Sequence, residues 1–199
     1  MYGDIRLIFS IVVGDMDKTE YIDKLINEYS KSFDIVRDYE IGGVKAAAYG
    51  YFSTISEKYV ISPKANLWSI HGFEHILFID TKTVTTEDIE KIRILMEEHM
   101  APELVCKGNK YPEKDHMYSY LTIAFICDET PDEEALNRIT KFRYEKNYLM
   151  TIRGHVEGHL VLMDLSTGKA CANKVAKHLK DFYEKVRDDK NECSISTYH

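Results

Sequence analysis

The sequence predicts a single α+β domain, with a mixed, mostly antiparallel sheet and about four helices packed on one or both of its faces. Two observations predict this class. Apolar residues recur at helical spacing in four segments, and runs of strand-forming residues bounded by Gly, Pro or Asn lie between them. A strand, a helix and a strand over residues 117–153 further predict one crossover packed on the sheet. The expected domain spans residues 16–187, followed by a flexible tail over residues 188–199.

The first half of the chain predicts a helix and then a meander of strands. The helix is expected over residues 17–31, because Ile22, Leu25, Ile26 and Tyr29 share one face. Strands are expected over residues 33–40, 44–55, 58–62, 65–70 and 74–81, the last two forming a hairpin through His71-Gly72. A second helix is expected over residues 85–100, and two prolines and a Gly-Asn pair predict a loop over residues 101–116.

The second half predicts one strand, a helix, three strands and a final helix. Thr130-Pro131-Asp132-Glu133 has the pattern of a capping box, with Thr130 as N-cap, Pro131 first in the helix and Glu133 third. Asn173 is expected to cap the last helix. The strands are expected over residues 117–127, 144–153, 160–165 and 170–172.

Composition excludes several classes of protein. The chain has 199 residues, 44% of them hydrophobic and 30% charged, so it can bury a core without disulfides or metal. A formal net charge of −7 argues against a dedicated DNA coat or a membrane-surface binder. The four cysteines form no C-x-x-C pair, which fits a reducing compartment. We therefore expect a cytoplasmic location and no membrane association.

The first 15 residues have two interpretations. Leu7–Val13 is apolar but too short to span a bilayer. Gly14-Asp15-Met16 can be encoded by a ribosome-binding sequence just upstream of a start codon, so residues 1–15 are either a translated leader or an edge strand. A native intact mass that includes residues 1–15 would contradict the leader.

The segment Arg153–His159 carries the densest chemistry of the chain. In an extended strand side chains alternate, so Arg153, His155, Glu157 and His159 would share one face. Two imidazoles and a carboxylate are ligand types of Zn²⁺ and Fe²⁺, which makes His155, Glu157 and His159 a candidate metal site. The alternatives are a solvated strand face, a turn at Gly154 and Gly158, and an anion or polar-ligand site formed with Arg153.

A second candidate site lies at the end of the expected strand 74–81. An apolar strand that ends in Asp80-x-Lys82 and is followed by a helix resembles the core of the PD-(D/E)XK nuclease superfamily over about residues 17–127. The resemblance implies that Asp80 is a metal-binding acid and that Lys82 is the catalytic lysine. Asn66 stands where the first acid is expected, and an amide cannot supply its negative charge, so the implied nuclease site would be inactive.

Positive charge is concentrated near the C-terminus. Between Arg138 and Lys180 there are nine Lys or Arg and three Asp or Glu, a net charge of +6, so the remainder carries −13. The segment predicts either an anion-binding face or solvated helix and strand surfaces. Tyrosines nearby would allow stacking on single-stranded nucleic acid, but the acidic pI of about 5.6 makes nucleic-acid binding unexpected.

Four short segments resemble a family of small uncharacterised bacterial proteins over about residues 16–187. The segments are Ser32–Ile35, Glu57–Ser62, Thr130–Glu133, and Arg153-Gly154 leading to Ala172–Lys174. The resemblance implies a cytoplasmic bacterial protein and no assigned activity.

Two functions follow as hypotheses. The first is a non-catalytic domain that binds a protein partner or a small anionic ligand through Arg153, His155, Glu157, His159 and Lys174. The alternative is a metal-dependent hydrolase or a degenerate nuclease-like protein. No cofactor is expected under the first hypothesis, and a divalent metal is expected under the alternative.

Overall fold

The described part of the chain between Lys18 and Asp188 contains four α-helices and seven strands. The computed structural model describes residues 17–53, 72–113, 116–152 and 154–188. The helices are α1 (Lys18–Ser30), α2 (Thr86–Leu95), α3 (Glu133–Lys141) and α4 (Lys180–Asp188). The strands are β1 (Asp34–Ile41), β2 (Val44–Ser53), β3 (Gly72–Thr81), β4 (Tyr118–Cys127), β5 (Glu145–Asn147), β6 (His155–Asp164) and β7 (Lys169–Ala172).

All seven described strands form one mixed sheet, which confirms the predicted α+β class. Its order is β1-β2-β3-β4-β6-β5, and β7 pairs with the other half of the same edge of β6. The central pairs β3–β4 and β4–β6 are parallel, and the four outer pairs are antiparallel. Parallel neighbours require crossover connections, and helices α2 and α3 lie in them.

The crossovers differ from the single one predicted. The strand that follows α3 and lies parallel to β4 is β6, whereas the short β5 runs antiparallel to β6. A second crossover, through α2, joins β3 to β4. The strand expected at residues 65–70 lies outside the described residues, and β3 pairs with β2.

Helices cover both faces of the sheet, so there are two apolar cores. One core joins α2 and α3 to alternate residues of the strands, including Leu77, Leu121 and Leu160, and we call this side the α2 face. The other core joins α1 and α4 to residues such as Phe78 and Ala124, and we call it the α1 face. The parallel central strands are buried on both sides, as such strands require.

The loop predicted at residues 101–116 is wrong at its start. Helix α2 continues as a π-helix from Met96 to Val105, and Pro102 lies inside it. Proline has no N–H and breaks regular α-helical bonding. The wider pitch accommodates it, since the N–H of Cys106 donates to the carbonyl of Ala101, five residues earlier.

Two further predictions of local structure are wrong. Helix α3 is capped by Asp132, whose side chain accepts from the N–H of Ala135, and not by Thr130. The hydroxyl of Thr130 instead donates to Asp164 at the end of β6, so a long-range bond displaces the local cap. The strand expected over residues 144–153 ends at Asn147, and Leu149, Met150 and Thr151 all have positive φ.

Asn173 closes the gap between the two short strands that pair with β6. Its side-chain amide donates to the carbonyls of Gly158 and Phe142, and its oxygen accepts from the N–H groups of Leu160 and Ala176. The Asn173 side chain therefore satisfies strand groups that no neighbouring strand reaches. It caps the turn after β7, whereas α4 itself begins only at Lys180.

No helix among the described residues is long and apolar enough to cross a membrane.

Candidate functional site

The His155–His159 segment is extended, as one of its alternative readings predicts. Strand β6 begins at His155 and aims His155, Glu157 and His159 toward the α1 face, the same side as Val161 and Met163. The turn alternative is therefore wrong for these three residues. His155 and Glu157 are half-buried, whereas His159 is 2% exposed. Arg153 lies outside the described residues.

His159 is the centre of a group of polar side chains drawn from three strands. Its Nε2 lies 3.5 Å from a carboxylate oxygen of Glu157, and its ring stacks on Tyr120 with centroids 4.5 Å apart. The ring of His178 meets it edge-on at 6.0 Å. Its buried Nδ1 has no hydrogen-bond partner among the described residues.

Glu74 completes this group from β3. Its carboxyl is buried and accepts a 2.5 Å hydrogen bond from the hydroxyl of Thr122. Burial raises the pKa of Glu74, and His159 and the Thr122 bond only partly oppose that rise. The neighbouring His159 lowers the pKa of Glu157, so the two carboxyls shift in opposite directions. We call Glu74, Tyr120, Thr122, Glu157 and His159 the polar cluster.

The metal prediction gains no support from this geometry. Alternate residues of a strand are about 7 Å apart, so side chains on one strand do not readily converge on one ion. Within the described ranges no three His, Cys, Asp or Glu side chains lie close enough to hold a metal ion. His155 Nδ1 instead lies 3.0 Å from Oδ1 of Asn147. Metal binding by His155, Glu157 and His159 stays a prediction.

Asp80 and Lys82 each pair with a different residue. Asp80 lies 2.6 Å from Lys18 Nζ, which also bonds to Asp128, while Lys82 Nζ lies 3.0 Å from Glu129. Both ion pairs are at the carboxyl ends of the parallel strands. Asn66 lies outside the described residues, so the nuclease-like reading of Asp80 and Lys82 stays a prediction.

Lys174 and Glu157, both predicted to bind ligand, line one cavity at the edge of β6. This cavity has a volume of about 440 Å³. We call it the basic pocket; its lining residues are Thr140, Lys141, Phe142, Arg143, Tyr144, Glu145, Glu157, Gly158, Asn173, Lys174 and Val175.

A second cavity, of about 450 Å³, lies on the α2 face and contains none of the predicted residues. It lies between β2, the first residues of β3 and β4, the end of the π-helix and the chain after it. We call it the aromatic pocket; its lining residues are Tyr49, Tyr51, Phe73, His75, Glu103, Leu104, Val105, Lys107, Glu113, His116 and Ser119.

Two buried histidines contribute polar groups to the aromatic pocket. His75 Nδ1 lies 2.7 Å from the hydroxyl of Tyr49, and His116 Nε2 lies 2.8 Å from the hydroxyl of Ser119. Burial, reinforced by the Coulombic effects of His116 and Lys107, lowers the pKa of His75 to about 3. His75 is therefore a neutral imidazole at physiological pH, with one donor and one acceptor nitrogen.

Three pairs of rings in the aromatic pocket lie nearly parallel, whereas Tyr51 and His75 are tilted by 35°. Tyr51 and Phe73 have centroids 6.5 Å apart and planes 12° apart, and Phe73 and His116 are 5.7 Å and 3° apart. Tyr49 and His75 are likewise stacked, with planes 15° apart. Gly154, at φ +96°, leaves room for the His116 ring. A Cβ at this position would lie 2.0 Å from His116 Nδ1.

The sequence contained one signal of this pocket. Tyr49-x-Tyr51 and Phe73-x-His75 place aromatic rings at alternate positions of neighbouring strands, hence on one face. The other wall could not be recognised, because residues 103–107 were expected to be a loop. Glu74 and Thr122 of the polar cluster lie within apolar strands, and only the parallel register of β3, β4 and β6 brings them near His159.

Comparison with known proteins identifies a family but no activity. A family model described as "Domain of unknown function (DUF8052)" matches residues 17–185. No curated protein and no solved structure matches the chain. The bacterial origin implied by the resemblance stays a prediction. Since the match covers more than half of the sequence, the chain belongs to DUF8052, which confirms the expected membership of an uncharacterised family.

Proposed function

We propose that this domain binds a small, planar organic ligand in the aromatic pocket. The observation that carries the proposal is a cavity of about 450 Å³ in which nearly parallel rings and two hydrogen-bonded histidines face the same space. Ligand sites are typically cavities of this size, mainly apolar or aromatic, with a few polar groups that fix orientation.

The parallel rings favour a flat ligand. The rings of Tyr51 and Phe73, on the adjacent strands β2 and β3, line one side of the pocket. An aromatic ligand can stack on these rings. A contact between two aromatic rings contributes about 1 kcal/mol beyond the area it buries. The sheet holds the backbone of both residues, so little ordering is needed when the ligand enters.

The histidines favour a ligand with a hydrogen-bonding group. A neutral His75 can donate or accept without a buried charge, and the Ser119 hydroxyl beside His116 can do the same. The two glutamates of the rim already have cationic or imidazole partners, since Glu113 pairs with Lys107 and Glu103 with His99, both at 2.9 Å. A polar but uncharged group therefore fits the floor of the pocket.

The π-helix next to the pocket supports a functional reading. Segments of π-helix are rare and occur frequently at functional sites. Here the segment Met96–Val105 contributes Glu103, Leu104 and Val105 to the pocket wall.

The test is a fluorescence titration with 2-naphthol, a bicyclic ring with one hydroxyl. We expect saturable binding by the wild type and about tenfold weaker binding by Tyr51→Leu, because one stacking partner is lost. The matched control is Tyr39→Leu. Tyr39 is also a half-buried tyrosine of the α2 face, stacked on Tyr49 at 4.6 Å, but it does not line the pocket.

Two outcomes contradict the proposal. One is the absence of saturable binding by the wild-type protein. The other is equal weakening in Tyr51→Leu and Tyr39→Leu, which would place the probe outside the pocket. Thermal melts of both variants establish that they are folded during the titration.

A cytoplasmic location is part of the proposal. The three described cysteines, Cys106, Cys127 and Cys171, are free thiols, which supports a reducing environment.

A further inference from the structure

The basic pocket lies where the sheet edge is interrupted. Strand β5 pairs with residues 155–157 of β6, and β7 pairs with residues 161–164, which leaves an opening between them. In this opening the side chain of Asn173 bonds to the backbone of Gly158 and Leu160. Phe142 and Gly158 are buried and line the cavity. The cavity of about 440 Å³ beside this gap is therefore built on fixed backbone.

The basic pocket is lined by one more cation than acid, so its positive charge is only partly compensated. Lys141, Arg143 and Lys174 are exposed and contribute three cations. Of the two acids, Glu145 lies 3.7 Å from Arg143 and Glu157 lies 3.5 Å from His159. Among the described residues, no acid forms an ion pair with Lys141 or Lys174.

The charge of the surrounding sequence points the same way. The segment from Arg138 to Lys180 carries +6 within a chain of net charge −7, and all of the pocket's residues come from this segment. A concave site with an excess of positive charge attracts anionic ligands.

We propose that the basic pocket binds a small polyanion of the diphosphate or phosphate-ester class. Lys141 and Lys174, which have no acidic partner among the described residues, match a ligand with two negative charges. Arg143 offers a planar, forked donor suited to phosphate oxygens, and the two lysines act as point charges. The proposal is independent of the aromatic pocket, which is lined by entirely different residues.

The test is isothermal titration calorimetry of the full chain with inorganic pyrophosphate at an ionic strength of about 0.15 M, where the Debye length is about 8 Å. We expect measurable binding by the wild type and at least tenfold weaker binding by Lys141→Gln/Lys174→Gln. The matched control is Lys169→Gln/Lys177→Gln, which removes the same charge from exposed lysines of the same segment that do not line the pocket. We expect the control to bind within about twofold of the wild type, since neither lysine lines the pocket and exposed charges outside it are largely screened at this ionic strength.

Each other outcome overturns the proposal. No binding by the wild type at millimolar pyrophosphate would exclude a site for this class of ligand. Equal weakening in the two double variants would show attraction to the whole basic segment rather than to the pocket. Because all four lysines are exposed, both variants are expected to fold, and equal melting temperatures verify it.

Discussion

His75 is a buried histidine whose environment opposes its protonation. It is 4% exposed, and the pKa of its imidazole falls from 6.5 to about 3 because of burial and the Coulombic effects of His116 and Lys107. The same neutrality that suits a ligand site affects stability, since the unfolded chain binds a proton that the folded chain rejects.

We predict that His75 makes the protein less stable in mild acid. Its folded pKa is below its unfolded pKa, so its contribution is complete above pH 6.5 and is lost as the pH falls toward about 3. Within that window its contribution to the free energy of unfolding changes by about 1.4 kcal/mol per pH unit. His75→Asn keeps a polar atom near the position of Nδ1 but cannot titrate, so its stability should depend less on pH.

Urea unfolding between about pH 4 and pH 6.5 measures this effect. The control is His99→Asn, a partly exposed histidine outside the pocket, which should retain the wild-type slope. Identical slopes for wild type and His75→Asn would contradict the neutral, buried histidine.

At the residue scale, the sequence predicted two residues of the polar cluster, Glu157 and His159. The alternation in His155-x-Glu157-x-His159 placed three side chains on one face because strand geometry has a fixed period of two. The pattern could not give the partners of His159, since Tyr120, Thr122 and Glu74 are brought near it by strand register. The spacing of polar residues therefore predicted the neighbours of His159 on its own strand, but not those on the adjacent strands.

At the scale of elements, one long-range contact and one local change of helical bonding moved boundaries that the sequence had suggested. Thr130 has the sequence context of an N-cap, yet Asp164 accepts its hydroxyl, and helix α3 begins two residues after Pro131. Pro102 suggested that a helix ends, yet π-pitch bonding carries it to Val105. At Thr130 a tertiary hydrogen bond overrides a cap preference worth about 1 kcal/mol. At Pro102 the local π-helical bonding accommodates a residue that costs about 3 kcal/mol within an α-helix.

We predict that the edge of β6 depends on Asn173. Asn173→Ala would leave the N–H of Leu160 and the carbonyl of Gly158 buried without these partners. We expect it to lower the free energy of unfolding by about 2–4 kcal/mol, because several buried backbone groups become unsatisfied.

Chemical denaturation of Asn173→Ala beside Asn147→Ala tests this role. Asn147 is the last residue of β5, which pairs with β6, and it is exposed. Its side-chain oxygen bonds to His155. Because this bond is at the surface, Asn147→Ala should lower the free energy of unfolding by about 0.5 kcal/mol or less. Similar losses in the two variants would contradict the bridging role of Asn173.

At the scale of the whole molecule, the two crossovers decide where the candidate sites lie. Parallel β3, β4 and β6 carry helices on both sides, so each face of the sheet has its own core and its own polar features. The aromatic pocket is on the α2 face and the polar cluster on the α1 face, while the basic pocket is at the open edge of β6. Hydrophobic periodicity predicted the class and most elements, but strand order depends on contacts distant in sequence, which periodicity does not encode.

The most direct test of the central claim is a heteronuclear NMR titration of the isotopically labelled full chain with 2-naphthol. If the ligand binds in the aromatic pocket, backbone amide shifts should concentrate at Phe73, His75, Lys107 and Ser119, from three separate elements around one cavity. Amides of the basic pocket, such as Lys141 and Lys174, should remain unperturbed. Shifts that spread over the surface, or that avoid these four residues, would contradict a ligand-binding function for the aromatic pocket.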